Sequence, residues 1–82
     1  MDVKKVKAST HPGKLAYWLK KTFEEQPELK SIKLRCIGAG STWQAMKAVA
    51  TDEFTCKPAF GETETFENGE ERTTFYVEVM RP

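Results

Sequence analysis

Apolar residues in this chain change their spacing in a fixed order, and that order restricts the fold more than any other feature. From Val3 to Ala8 the spacing is two: Val6 and Ala8 share one face, Lys5 and Lys7 the other. From Pro12 to about Glu25 it becomes helical, with Leu15, Trp18, Leu19, Thr22 and Phe23 on one stripe. Pro12 suits a first helical turn, with Thr10 or His11 as the cap, and Pro27 ends the helix. Lys20–Glu24 and Lys21–Glu25 are spaced as ion pairs on its exposed side. A period of two returns at Ile32–Ile37, with Ile32, Leu34 and Cys36 facing one way.

Gly38-Ala39-Gly40 makes a tight exit, and Ser41 with Gln44 forms a capping box that opens a second helix. Its inward stripe is Thr42, Ala45, Met46 and Val49, and it ends near Ala50. The rest reads as a hairpin, with a first arm over Phe54–Phe60 and a second over Thr73–Met80. Pro58 places the first arm at a sheet edge or a bulge, and Asn68-Gly69 signals a type I′ turn in the connecting Gly61–Glu71. In the second arm Phe75, Val77 and Val79 face the core, and Thr74, Tyr76 and Glu78 face out. The expected order is β-α-β-α-β-β. Right-handed crossovers then put both helices on one face of a mixed four-stranded sheet, giving an α+β two-layer sandwich. The open face carries Lys5, Lys7, Lys33, Arg35, Lys57 and Tyr76.

With 82 residues the chain has room for one domain and a thin core. Its apolar (39%) and charged (30%) fractions are those of a folded protein, which excludes compositional disorder. No stretch is long and apolar enough for a membrane span, and Met1-Asp2-Val3-Lys4-Lys5 has no signal-like apolar run. Cys36 and Cys56 are too few for a disulfide scaffold and match no zinc spacing. They read as buried small apolar residues of a reduced, cytoplasmic protein, with no metal and no cofactor. A single histidine and no nucleophile–base arrangement argue against an enzyme.

The net charge of +1 hides an asymmetry: residues 1–47 carry ten basic and four acidic groups, a net +6, and residues 48–82 three and eight, a net −5. Such a split fits a polyanion partner on one face, self-association of opposite ends, or an ordinary solvated surface. The stretch Gly38-Ala39-Gly40-Ser41 lies at a helix N-terminus, where free N–H groups favour phosphate; the alternative is a turn that needs small residues. The strands before the two helices are expected to be parallel, so His11, Lys14, Ser41 and Gln44 converge on one end. Lys5, Lys7, Lys33 and Arg35 are a second basic surface, with Tyr76 as a stacking ring, or simply an edge kept soluble. Trp43 lies off the inward stripe beside Lys47 and fits an interface, or else covers a thin core edge.

Three blocks carry a family resemblance. Cys36-Ile37-Gly38-Ala39-Gly40-Ser41-Thr42-Trp43-Gln44-Ala45-Met46-Lys47-Ala48-Val49-Ala50 looks like the signature of the stage V sporulation protein S family. Cys56-Lys57-Pro58-Ala59-Phe60 resembles that family's Cys-Ile-Pro-Ala-Phe segment, and Asn68-Gly69-Glu70-Glu71-Arg72-Thr73 its Asp-Gly-Glu-Glu-Arg-Thr segment. The blocks fall in order along nearly the whole chain. The segment joining the second helix to the second block is shorter than in that family, with only Thr51–Thr55 left.

The resemblance implies an Alba-like fold and a small homodimeric DNA- or RNA-binding regulator of sporulation or development. In Alba-like proteins the loop matching Lys14 contacts nucleic acid and the second helix lies at the subunit contact, which implies a dimer interface with Trp43 and Lys47. With the helix N-terminus read above, the expected nucleic-acid contacts are Lys14, Gly40, Ser41, Gln44, Lys47 and Arg72, although the basic residues that Alba proteins carry at the start of the second helix are absent. The acidic hairpin tip (Glu67, Glu70, Glu71) argues against insertion between phosphate walls. The alternative reading is a protein-interaction module that binds no nucleic acid.

Overall fold

A computed structural model of the chain describes residues 2–82. Its elements are β1 (Asp2–Val6), α1 (Pro12–Glu25), β2 (Ser31–Ile37), α2 (Ala39–Thr51), β3 (Cys56–Thr65) and β4 (Glu71–Met80). The fold is an α+β sandwich with a mixed sheet in the order β1-β2-β4-β3. The pair β1/β2 is parallel, and β4 runs antiparallel to both β2 and β3. No helix is long and apolar enough to cross a membrane.

One face of the sheet is buried by the helices. Val6, Ile32, Leu34, Cys36, Val77 and Val79 come from the strands, and Leu15, Ala16, Leu19, Phe23, Ala45, Ala48 and Val49 from the helices. The sequence stripe of α1 is the buried one, with Ala16 joining it and Trp18 half-buried. His11 caps α1 by accepting the Lys14 backbone N–H at Nδ1, 3.3 Å away. The far end of α1 is closed by Arg81. Its guanidinium donates to the Leu29 carbonyl at 2.6 Å and to the Gln26 carbonyl, and stacks on Phe23.

Helix α2 starts three residues earlier than the capping box requires, and Ser41 is not its cap. Gly38 holds that place with φ +89°, a left-handed conformation open to glycine at little cost. Ser41 is one turn inside, buried, and its hydroxyl donates back to the Ile37 and Gly38 carbonyls at 2.8 and 3.0 Å. The buried stripe is accordingly Ser41, Ala45, Ala48 and Val49, while Thr42 and Met46 are only half-buried.

The short Thr51–Thr55 link works because α2 ends in a Schellman turn. Phe54 N–H donates to the Val49 carbonyl and Glu53 N–H to that of Ala50, with Glu53 at φ +55°. Phe54 then packs on Phe23, ring centroids 6.2 Å apart.

The hairpin is longer than its apolar pattern indicates. Both strands run on through the segment expected to be a connection, past a bulge between Phe60 and Thr63. Polar residues form this distal ladder, with Thr63 and Thr73 hydroxyls 3.2 Å apart, so no apolar alternation announces it. The resulting arm contributes to a molecule 42 Å long against 22 and 17 Å in the other directions. Its tip is not a type I′ turn. Gly69 N–H donates to Phe66 and Phe66 N–H to Glu70, with Gly69 alone at positive φ, which is a three-residue loop with a bulge at glycine. Pro58 sits on β3, an edge strand, as its missing donor requires.

Candidate nucleic-acid interface

Parallel pairing of β1 and β2 brings the two helix N-termini to one end of the sheet. Two contacts fasten them. Gln44 Nε2 donates to the Ala8 carbonyl at 3.0 Å, and a Cβ on Gly40 would lie 3.0 Å from that of Ala8. Of the residues expected to converge there, Ser41 and Gln44 are therefore committed to backbone, and His11 to its cap. Lys14 remains exposed, in a small cleft with Lys4, Thr10, His11 and Trp18, where Lys4 Nζ lies 5.0 Å from the Trp18 ring centre. Lys47 is exposed on α2 with its ammonium over Trp43 at 5.6 Å.

Arg72 does not join this end cluster. It sits on the arm, paired with Glu70 at 3.1 Å and stacked on Phe66. The hydrogen bonds from Arg72 and Asn68, with the guanidinium's charge, hold the Glu70 carboxyl below its usual range.

The open face follows from the register. Lys5 stands beside Arg35, and Arg35 beside Tyr76, which stands beside Ala59. Lys33 lies between Val3 and Glu78, and Glu78 is next to Lys57. Lys7 is not on this face: β1 stops at Val6, and Lys7 N–H enters a turn by donating to Thr10 Oγ1 at 2.8 Å. Arg35 reaches Glu64 on the arm at 2.6 Å, and Lys33 Nζ lies 5.3 Å from the Tyr76 ring centre. Glu78 accepts from Ser31 at 2.9 Å. Thr74, expected to face solvent, is buried; it shares the face of Tyr76 but packs beside Gly61, where β3 bends over it.

On the helix side, between α2 and the arm, lies an open apolar groove of about 580 Å³ that no single sequence motif announced. Trp43, Met46, Phe60 and Phe75 line it, Phe60 and Phe75 in edge-to-face contact at 5.2 Å. Trp43 is 64% exposed and Phe60 81%. The signal for it in the sequence is Trp43 off the inward stripe of α2; Phe60 stands there only as the end of a strand arm.

Cys36 is fully buried among apolar neighbours, and Cys56 is half-buried; neither is in a disulfide. Burial pushes the Cys36 thiol up to about 11. Among the described residues no three His, Cys, Asp or Glu side chains gather as a metal site would need. No protein-family model and no curated protein matches the chain.

Proposed function

We propose that this protein is a small nucleic-acid-binding regulator that holds its ligand mainly through backbone electrostatics. What supports the reading most is the state of its lysines. Among the described residues, both carboxylate ion pairs are made by arginines, Arg35 and Arg72, so all ten lysines lack an acidic partner within bonding distance. Nine of the ten fall in residues 1–47, so a large uncompensated positive charge belongs to the helices and the first two strands. Surface charge left unpaired in this way attracts a polyanion. The sequence resemblance to the stage V sporulation protein S family and the shared β-α-β-α-β-β order point the same way.

Each phosphate neutralised contributes about −0.9 to the slope of log K against log salt for duplex and about −0.7 for single strands. Fluorescence anisotropy of a labelled oligonucleotide, repeated across salt concentrations, should give a slope of several units. A slope near zero, or no binding at low salt, would remove the reading.

The exposed groove favours a second role, self-association. Two aromatic side chains this open are costly to leave in water and suit a protein contact. A homodimer through Trp43 and Lys47 covers the groove, and Trp43→Arg should then lower the sedimentation coefficient to that of a monomer.

A further inference from the structure

We infer that the open face of the sheet is a stacking platform for a single-stranded polynucleotide, and that Glu64 on the hairpin arm is a built-in competitor for its phosphates. The inference rests on the nucleic-acid reading above and adds the site, the strand state and an internal control.

Four cations stand on this face in a compact block: Lys5 and Arg35 side by side in register, Lys33 one position pair away, and Lys57 across Glu78. The acids facing them are Glu78, already accepting from Ser31, and Glu64. In the middle of the block is Tyr76, directly beside Arg35. A flat sheet with one aromatic ring among cations fits unpaired bases, which offer a π-face to the ring and phosphates to the cations. A duplex hides its base faces and cannot use the ring.

The ring is placed by a glycine. A Cβ at Gly61 would lie 2.6 Å from Tyr76 Cε2, so only glycine lets the ring approach the β3 backbone this closely. The Lys33 ammonium lies over the ring, 5.3 Å from its centre, on a flexible stem that can swing to a phosphate. Beside it, the Glu64 carboxylate sits 2.6 Å from Arg35 Nη2, where a phosphate oxygen would go. The face is thus occupied by the protein's own charges, in the pattern an incoming strand would replace. Partial exposure of both Arg35 and Glu64 makes that exchange cheap.

The test is binding of labelled oligothymidylate and oligouridylate of about 15 nucleotides, beside a duplex of equal length, to the wild type and four variants. Glu64→Gln should bind both single strands several-fold more tightly, because the competitor is gone. Tyr76→Leu should bind them about 10-fold more weakly and leave duplex binding unchanged. Lys33→Ala should weaken all three ligands. Lys14→Ala reports on the helix end and should weaken single strands less than Lys33→Ala does, because the strand lies on the sheet face. Thermal unfolding of each variant separates lost contact from lost fold, and Glu64→Gln, a gain, cannot arise from misfolding. If single strands bind but Glu64→Gln and Tyr76→Leu leave them unchanged while Lys14→Ala weakens them, the platform is wrong and nucleic-acid binding stands. If no ligand binds any protein, both fall.

Discussion

Arg35 Nη2 lies 2.6 Å from Glu64 Oε1, joining the second strand to the far part of the hairpin arm across the intervening strand. Both side chains are partly in water, so the pair contributes about 0.5 kcal/mol or less to stability. Glu64→Gln should therefore shift the urea midpoint barely at all. A large loss of stability would mean that the pair holds the arm in place, and its removal could not then serve as a clean gain in binding.

Arg81 should matter far more than its place next to the C-terminal residue indicates. It satisfies the Gln26 and Leu29 carbonyls beyond α1, its own N–H donates to Lys30, and its guanidinium covers Phe23. Removing charged donors from half-buried carbonyls costs about 1–3 kcal/mol. Arg81→Ala should lower stability by about that amount in urea unfolding, with Arg81→Lys recovering only part of it, because an ammonium lacks the fork that reaches both carbonyls.

Glu53 sits at φ +55° in the turn that ends α2, where a side chain is strained and glycine is not. Its side chain is exposed and makes no hydrogen bond or ion pair among the described residues. Glu53→Gly should raise stability by about 0.5–1 kcal/mol, the relief of strain exceeding the entropy of a freer unfolded chain. A loss on calorimetry would show that the Schellman turn does not govern this corner.

The two thiols should react differently. Cys36 is fully buried with its pKa raised from the ordinary 9.0 to about 11, while Cys56 is half-buried. A thiol reagent at pH 8 should modify Cys56 first and Cys36 only on unfolding. The raised value also sets a pH dependence. Below pH 9 the thiol is neutral in both states and no penalty exists; above it the unfolded chain ionises first, so stability falls from pH 9 towards 11. Cys36→Ala should flatten that decline, and an unchanged alkaline limb would place its cause elsewhere.

How far these features were legible in the sequence depended on whether an apolar period wrote them. Leu15, Leu19 and Phe23 mark α1, and Ile32, Leu34 and Cys36 mark β2, because the side facing the helices must be apolar at a regular spacing. The distal arm has no such side. Thr63, Glu64, Thr65, Glu71, Arg72 and Thr73 pair through backbone with both faces in water, so their strand character is invisible to periodicity. Ser41 misled for a related reason: its spacing to Gln44 is that of a cap, but Gly38 at positive φ starts the helix before it.

Among the residues considered for binding, the basic block on the open face was legible because strand alternation assigns Lys5, Lys33, Arg35 and Tyr76 to one side. The pairing of Arg35 with Glu64 was not, since it depends on where a bulge aims a residue 29 positions away. Nor was the groove, which needs Phe60 of an edge strand and Trp43 of a helix to meet across the gap.

The most direct measurement is an amide chemical-shift titration of the whole chain with oligothymidylate at low salt. The account predicts fast, saturable shifts centred on Lys5, Lys33, Arg35 and Tyr76, extending to Glu64 as it leaves Arg35, with Trp43 and Met46 in the groove unmoved. Shifts confined to the groove, or to Lys14 and the loop at Ala8, or no shifts at all, would contradict it.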